Sequence, residues 1–388
     1  MAATAVPPTG AGSTRVMHQD LLKTGPGTLA GRYLRSFWQP VRLASHVKPG
    51  RALPIRIMSE DFTLYRGESG EPHLLTFRCA HRGTQLSTGW VEGDNLRCFY
   101  HGWKYDPNGQ CLEQPAEPEP FCSRIKIRAY PTREYLGFVW AYLGEGEPPE
   151  FPRVPEFERP DYVVNLSYLE WPVNYFTQID NAVDQAHTAM THWHFGRGVP
   201  TIRVDNTDYG VAVHASGPGY RNPSHFHMPN AHEWGSPPRP GGADRWSYAR
   251  GWRVPIDDSH YIRFGIDIVP LTGEEADKFQ ERMAEREKKI TRLGWEVGED
   301  VLAGRMAPQE LDPELYPDLV NIQDYIAQVG IGDIAENPPD EHLGSSDMAI
   351  VKLRRLWARE LEALAAGRPL TQWRRPDSLW SGLSATGE

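Results

Sequence analysis

Hydrophobic and polar residues alternate with a period of two in several short stretches of the first 150 residues. Because alternate side chains of a strand face the same side, this period predicts short β-strands. We place a turn near Pro131–Glu134 in the last stretch and predict a small all-β domain. The stretches are LPIRIMS (53–59), FTLYRG (62–67), HLLTFRC (73–79) and IKIRAYPTREYLGFVWAYLG (125–144).

The strand pattern stops at a Pro- and Glu-rich segment, GEGEPPEFPRVPEFERP (144–160). Such composition is typical of a boundary between domains. We therefore predict a first domain over residues 38–148 and a second over 149–388, with residues 21–37 packing on the second. Residues 1–20 are expected to form a disordered tail, and their start lacks the hydrophobic core of a signal peptide.

The second half mixes alternating stretches with stretches of helical period, which predicts an α+β layer whose antiparallel sheet curves around a cavity. The expected strands are DYVVNLSYLEWP (161–172), VAVHAS (211–216), RWSYARGWRVP (245–255) and HYIRFGIDIVPL (260–271). The expected helices are VNYFTQIDNAVDQAHTAMTHW (173–193), EEADKFQERMAEREKKITRLG (274–294) and SSDMAIVKLRRLWARELEALAAG (345–367).

Composition narrows the classes of partner. The 388 residues include 41 Lys and Arg against 51 Asp and Glu, a net charge of −10, and no basic run is dense enough to follow a phosphate backbone. No apolar run has the length of a membrane span. We expect neither nucleic acid nor a membrane as a partner.

Two tight clusters, each with one Cys and one His, carry the strongest chemical signal. Cys79 and His81 form a Cys-x-His pair, and Cys98 and His101 form a Cys-x-x-His pair. A Rieske [2Fe-2S] centre needs this ligand set, because one iron takes both sulfurs and the other takes both imidazoles. A structural zinc site is the alternative, although zinc sites tend to group Cys with Cys and His with His.

The surrounding residues extend this match. Arg82-Gly83 follows the first His and Gly102-Trp103 follows the second, and the whole stretch from 79 to 103 resembles the cluster-binding motif of Rieske non-haem iron oxygenases. The resemblance covers roughly residues 35–366. It implies a small all-β Rieske [2Fe-2S] domain followed by a catalytic domain of helix-grip (START-like) fold.

A second motif lies in the first helix of the second half. The run NAVDQAHTAMTH (181–192) places Asp184 and His187 on one helix face, whereas His187 and His192 are five residues apart and need a local bulge or a helix end to reach one ion. The run resembles the Asn-x-x-Asp-x-x-His-x4-His motif of Rieske oxygenases. By that resemblance, His187 and His192 bind a mononuclear Fe(II).

The third iron ligand has to be a carboxylate from elsewhere in the chain. The segment EHLGSSDMAIVKLRR (341–355) resembles the one that supplies it in phthalate-type oxygenases, which indicates Asp347, with Asp340 as the second choice. Alternatively, Asp347 only complements the dipole of the last helix. The downstream acids considered are Asp324, Asp333, Asp340, Glu341 and Asp347.

The resemblance implies a terminal oxygenase that uses O2 to hydroxylate or O-/N-demethylate an aromatic or related small substrate. Cis-dihydroxylation is the second possibility, and an electron carrier or a helix-grip ligand-binding protein without oxygenase activity is the third. Since the chain has neither a dinucleotide fingerprint of strand-turn-helix type nor a second Cys cluster, NAD(P)H must be oxidised by a separate reductase or ferredoxin system. A cluster-bearing chain of this kind is expected in the cytoplasm.

Asp184 has a further role by resemblance. In these oxygenases the matching Asp reaches a cluster-binding His of the neighbouring subunit, because the chains form a head-to-tail ring of three. We therefore expect a homotrimer in which Asp184 links His187 to the His101 of the next chain. The alternative is that Asp184 only orients His187, without any oligomer.

Overall fold

The computed structural model describes residues 16–220, 222–236, 246–288 and 290–380. Within these ranges the strands form four antiparallel sheets, three small ones in the first 142 residues and one of seven strands after residue 162. The α+β prediction is confirmed by this mixture. None of the helices in the described ranges combines the length and the apolar character that crossing a membrane requires.

The three small sheets have the strand orders β1-β11-β10, β2-β3-β4-β9 and β5-β6-β7-β8. Their strands are β1 Trp38–Leu43, β2 Ala52–Ile57, β3 Glu60–Arg66, β4 Pro72–Thr76, β5 Trp90–Glu92, β6 Asn95–Arg97, β7 Lys104–Tyr105, β8 Cys111–Glu113, β9 Ala129–Tyr130, β10 Thr132–Tyr135 and β11 Phe138–Tyr142.

The turn expected near Pro131–Glu134 lies elsewhere. Tyr135 pairs with Phe138, so the hairpin closes through Leu136 and Gly137, whose φ angles are 51° and 77°. Two consecutive left-handed residues are what a two-residue hairpin with a type I′ turn requires, because their twist matches that of the strands. Pro131 merely separates β9 from β10.

The seven-stranded sheet is open and curved, and its order is β12-β18-β17-β16-β15-β14-β13. Only β12 is displaced from the sequential meander, and it pairs along its whole length with the last strand. The strands are β12 Val163–Trp171, β13 Thr201–Thr207, β14 Gly210–Ser216, β15 Ser224–His227, β16 Ala231–Ser236, β17 Ser247–Pro255 and β18 Tyr261–Val269.

The helices differ from the sequence prediction in several places, since only three were expected. The first begins at His18, inside the predicted tail, whose residues 1–15 lie outside the described ranges. The helix expected over 173–193 is divided into α3 and α4. The helices are α1 His18–Leu22, α2 Leu29–Arg35, α3 Tyr175–Val183, α4 His187–Met190, α5 Gly273–Glu287, α6 Gly294–Leu302, α7 Leu319–Val329 and α8 Met348–Ala365.

One face of the large sheet packs on the first sheet, and the other is covered by helices. Trp252 of β17 makes edge contacts with Trp140 and Phe138 of β11, at ring centroid distances of 5.0 and 5.9 Å. On the other face, α3 and α7 each donate to or accept from side chains of β17 and β18. The space between these helices and the sheet holds the second candidate metal centre.

Candidate functional site

The two loops that carry the Cys and His pairs repeat one backbone turn. The N–H groups of Cys79 and Cys98 each donate to the carbonyl five residues later, at 2.8 Å in both loops. Gly83 and Gly102 close the turns with φ angles of 75° and 74°, which only glycine adopts readily. We call residues 79–84 and 98–103 the cluster loops. Each of these matching turns carries one Cys and one His, and the His follows the Cys by two residues in the first loop and by three in the second.

In the cluster loops, the two thiols lie together and the two imidazoles lie together. Both thiols are buried, and the pKa of Cys79 is raised by burial and by the neighbouring thiol of Cys98. The imidazoles of His81 and His101 adjoin, with ring centroids 4.5 Å apart. Tyr105 Oη lies 3.2 Å from Cys79 Sγ. Sulfur pairs with sulfur and imidazole with imidazole, which is the arrangement that a two-iron centre needs.

A single zinc ion fits this geometry poorly. Tetrahedral coordination at about 2.0–2.3 Å places donor atoms roughly 3.3–3.8 Å apart. In the part of the chain that the structure describes, just one group of three or more metal-ligating residues has its donor atoms all within 4.8 Å, and it contains neither cysteine. The four residues of the cluster loops do not form such a group, and a two-iron cluster, which spaces its ligands more widely, suits them better.

The second centre begins at the break between α3 and α4. Asp184 Oδ1 accepts hydrogen bonds from the N–H groups of Ala186 (2.8 Å) and His187 (3.3 Å), which ends α3 and starts the next helix at His187. The helix end expected before His192 is present as well, because α4 ends at Met190 and His192 has non-helical backbone angles. The rings of His187 and His192 lie at a centroid distance of 5.2 Å.

Asp324 of α7 completes the group. Its Oδ1 lies 3.6 Å from His187 Nε2 and 3.4 Å from His192 Nε2, and all three donor atoms lie within 4.8 Å of one another. Burial alone would raise the pKa of Asp324, but His192, His187 and Arg263 lower it below its usual value. Two imidazoles and one ionised carboxylate form the donor set of the facial triad that binds Fe(II).

Each imidazole has an oxygen beside its other nitrogen. His192 Nδ1 lies 2.9 Å from Gln323 Oε1, and His187 Nδ1 lies 3.5 Å from Asp184 Oδ2, an ion-pair distance without hydrogen-bond geometry. An oxygen acceptor places the ring proton on Nδ1, so Nε2 keeps its lone pair for a metal. Burial lowers the pKa of His187, but the carboxylates of Asp184 and Asp324 outweigh burial and raise it.

A chain of two carboxamides leads away from Asp324. Asn181 Nδ2 donates to Asp324 Oδ1 (3.3 Å), and Gln178 Nε2 donates to Asn181 Oδ1 (3.3 Å). Arg253 Nε in turn donates to Gln178 Oε1 (3.1 Å). We call these four residues the amide relay. Every donor points the same way, so the relay fixes the orientation of both amides between a cation and an anion.

The expected carboxylate, Asp347, is not part of this group. It lies half-buried at the start of α8, where its Oδ2 accepts from the N–H of Gly344 at 2.7 Å. Asp340, the second choice, is exposed. Asp324 is the carboxylate that the fold brings to the imidazoles, and Asn181 of α3 donates a hydrogen bond to it. The sequence prediction missed α7, although Leu319, Ile322, Ile326 and Val329 recur on it with helical spacing.

Comparison with known proteins agrees with both centres. Residues 37–131 match the family model described as Rieske [2Fe-2S] domain. The chain is 30% identical to the phenoxybenzoate dioxygenase subunit alpha of Ectopseudomonas oleovorans, over 90% of this chain and 86% of that protein. The chain belongs to the Rieske oxygenases.

Two further matches support this membership. The chain is 28% identical to the 5,5'-dehydrodivanillate O-demethylase oxygenase subunit of Sphingobium sp. (strain NBRC 103272 / SYK-6), over 90% of this chain and 81% of that protein. The terminal oxygenase of carbazole 1,9a-dioxygenase from Novosphingobium sp. KA1 shares the fold, with a TM-score of 0.63 at 20% identity over 88% and 94% of the two chains.

This Rieske oxygenase is therefore the oxygenase component of its system, an oxidoreductase that incorporates oxygen from O2. Its cofactors are a Rieske [2Fe-2S] cluster and a mononuclear iron. These expectations from the sequence are confirmed.

Both centres of this Rieske oxygenase lie next to exposed apolar side chains. Beside the cluster loops, the exposed fractions are 51% for Trp90, 60% for Phe99 and 55% for Tyr100. Beside the two imidazoles, they are 66% for Met190 and 48% for Trp193. Large apolar side chains grouped on a surface mark an interaction site. We call the two groups the cluster patch and the iron patch.

Proposed function

We propose specific ligands for the two cofactors. A bound cluster stores one electron, and a bound Fe(II) supplies the position at which O2 is activated. For the iron we infer the two imidazoles and the carboxylate of α7. The proposed ligands are Cys79, His81, Cys98 and His101 for the cluster and His187, His192 and Asp324 for the iron.

The observation that supports oxygenase chemistry most strongly is the orientation of the two imidazoles. Both present Nε2 to the same carboxylate oxygen while their Nδ1 atoms face Gln323 and Asp184. An electron carrier or an inert ligand-binding protein has no use for such a triad. The purified protein should contain three iron atoms per chain with a Rieske-type electron resonance signal, whereas a carrier or binder would contain two.

For the reaction, we propose hydroxylation or O-/N-demethylation of an aromatic substrate, with cis-dihydroxylation as the second candidate. The relatives named above support this range, since one is an O-demethylase of dehydrodivanillate and another is a dioxygenase of phenoxybenzoate. Electrons from NAD(P)H would arrive through a separate reductase or ferredoxin. We propose the cytoplasm as its location, where its four free cysteines stay reduced.

We further propose a homotrimer in which the cluster patch of each chain contacts the iron patch of the next. The two patches differ, so the contact is heterologous and closes as a ring. Asp184 supports this arrangement: its Oδ2 faces His187, and it lies in the helix break near the iron patch. In the ring, its carboxylate would accept a hydrogen bond from the His101 imidazole of a neighbouring copy.

A mixing experiment tests this electron path. Cys98→Ser chains lack the cluster and His187→Ala chains lack the iron, so each is inactive alone. If electrons cross between subunits, co-expression in equal amounts should restore about a quarter of wild-type turnover. An active interface needs a chain with an intact cluster on one side and a chain with an intact iron site on the other, and each occurs there with a probability of about one half.

The control is the same two proteins purified separately and combined without subunit exchange, which should stay inactive. Mixed trimers of verified composition that show no turnover would contradict the path between subunits. Asp184 would then be an orienting residue for His187 alone.

A further inference from the structure

Two buried arginines lie three residues apart on β17 and face opposite sides of the sheet. Arg250 faces the first sheet and forms an ion pair with Glu233. Arg253 faces the helices and is only 3% exposed, yet no carboxylate oxygen of the described residues lies within 4.0 Å of its guanidinium. Buried charges are normally paired. The contrast on one strand singles out Arg253.

The contacts of Arg253 are all with neutral groups. Its guanidinium donates to Gln178 Oε1 (3.1 Å) and to the carbonyl of Gly251 (2.7 Å), and its Nη2 lies 3.5 Å from His232 Nδ1. Burial, together with the adjacent Arg263, lowers the pKa of Arg253 to about 9. The side chain is therefore still cationic at neutral pH, and the protein holds an uncompensated charge in its interior.

Two neighbours of Arg253 carry unpartnered donor groups. His232 Nδ1 faces the guanidinium, so the proton of the neutral ring is on Nε2, which has no hydrogen-bond partner within the described residues. Tyr261 Oη is also unpartnered and approaches Gln178 without hydrogen-bond geometry. Both side chains are at least nine-tenths buried. Cross-strand pairing places them on the same face of the sheet as Arg253.

This group of donors lies at the candidate active site. Arg253 is the far end of the amide relay, three hydrogen bonds from the carboxylate of Asp324. The wall beside it is aromatic, because Trp234 stacks on His232 with ring centroids 5.0 Å apart. An anionic group bound at the guanidinium would therefore be linked through the relay to the carboxylate that faces the two imidazoles.

We propose that Arg253 is a specificity-determining residue that binds the carboxylate of the substrate, with Tyr261 and His232 as further donors, so that the substrate class is aromatic carboxylates. This inference rests on the proposed function of the same site. Guanidinium groups bind carboxylates through two parallel hydrogen bonds, and such a pair is strong where water is excluded.

The test compares methoxy- and phenoxybenzoates with the matching benzamides, which have the same shape without the charge. Binding is measured by calorimetry under anaerobic conditions on the wild type and on Arg253→Gln. The wild type should bind each carboxylate at least tenfold more tightly than its amide. The variant should bind carboxylates on the order of 100-fold more weakly than the wild type and amides almost unchanged.

Thermal stability without ligand separates this role from a structural one. Because Arg253→Gln removes an uncompensated buried charge, its melting temperature should equal or exceed that of the wild type. Arg203→Gln, which removes an exposed charge on β13, is the matched control and should leave both ligand series unaffected. A variant that melts lower and keeps the wild-type preference for carboxylates would make Arg253 a structural residue.

Failure of this inference and failure of the proposed function are distinguishable. Wild-type protein with three iron atoms per chain that shows no preference for carboxylates, or binds none at millimolar concentration, overturns the inference and leaves the oxygenase intact. A protein that prefers carboxylates but holds only two iron atoms per chain overturns the proposed function and supports the anion site.

Discussion

The two metal centres are built in different ways. The cluster loops lie within one stretch of sequence, and each is closed by its own backbone hydrogen bonds and a left-handed glycine. The mononuclear centre joins a helix break at Asp184 to Asp324 on a distant helix, and side-chain hydrogen bonds hold it in position. Local turns define the first centre, whereas side-chain hydrogen bonds, including one between α3 and α7, define the second.

The packing around the two metal centres also differs. Cys79 and Cys98 belong to the hydrophobic core of the small sheets, together with Leu86, Leu96 and Trp103. Asp324 and Gln323 instead lie on a helix whose apolar residues Leu319 and Ile322 belong to a separate small cluster. We therefore expect loss of the cluster to disturb the fold around it, and loss of the iron to leave the fold intact.

The largest expected effect is that of Cys98→Ser. Without this thiolate the cluster should be absent, with no Rieske resonance signal, no acid-labile sulfide and no turnover. Since metal binding and folding are linked where the ligands are part of the core, the small domain should also lose protection from proteolysis. The measurement is limited proteolysis alongside spectroscopy of the purified protein.

Cys122→Ser is the matched control, because Cys122 is only half-buried and lies outside the cluster loops. It should keep the signal and the colour of the wild type. Colourless wild-type protein with stoichiometric zinc would contradict the two-iron assignment. Both centres would then be single-metal sites that differ only in their ligands.

The next effect in size separates Asp324 from Asp347. Asp324→Ala should keep the cluster signal, contain two iron atoms per chain and lose turnover, because two imidazoles alone hold Fe(II) weakly. Asp347→Ala should keep three iron atoms and near wild-type turnover. Among the described residues its carboxylate accepts only from the N–H of Gly344, so the cost is about 1 kcal/mol of folding free energy. Iron analysis and thermal unfolding measure both.

The reverse result, with iron lost in Asp347→Ala and kept in Asp324→Ala, would make Asp347 the third iron ligand, as expected from the sequence. It would also mean that α8 moves toward the imidazoles when iron binds.

The sequence predicts the cluster loops well because their geometry is local. Ligand spacing and two glycines contain nearly all of the information, and the flanking strands follow from a period of two. The α+β class and most strands of the second half were likewise predictable. The ligand roles of Cys79, His81, Cys98 and His101, and the domain boundary near residue 148, stay predictions.

The third carboxylate could not be predicted because it depends on tertiary packing. A segment that resembled phthalate-type enzymes indicated Asp347, but nothing in the spacing from His192 specifies which later acid comes close. The helical period of α7 was readable, and Asn181 of the recognised motif donates to Asp324. The position of that helix over α3 follows only from the folded structure.

The smallest expected effect concerns the amide relay. The relay supports the mononuclear centre through side chains, whereas backbone hydrogen bonds close the cluster loops. Gln178→Leu has nearly the same volume but leaves Asn181 Oδ1 and Arg253 Nε without partners, so the amide that orients Asp324 is free to rotate. We expect iron affinity to fall about tenfold, as is usual when a group that orients a metal ligand is removed, with an unchanged cluster signal.

Gln328→Leu is the matched control, since this buried glutamine of α7 has no hydrogen-bond partner for either side-chain atom among the described residues. That variant should keep its iron affinity and unfold at an equal or higher temperature, because it removes an unsatisfied buried amide. Iron release to a chelator, followed over time, measures both variants. Equal release rates would mean that Asp324 is held by the packing of α7 alone, and that the mononuclear centre is as rigid as the cluster loops without the relay.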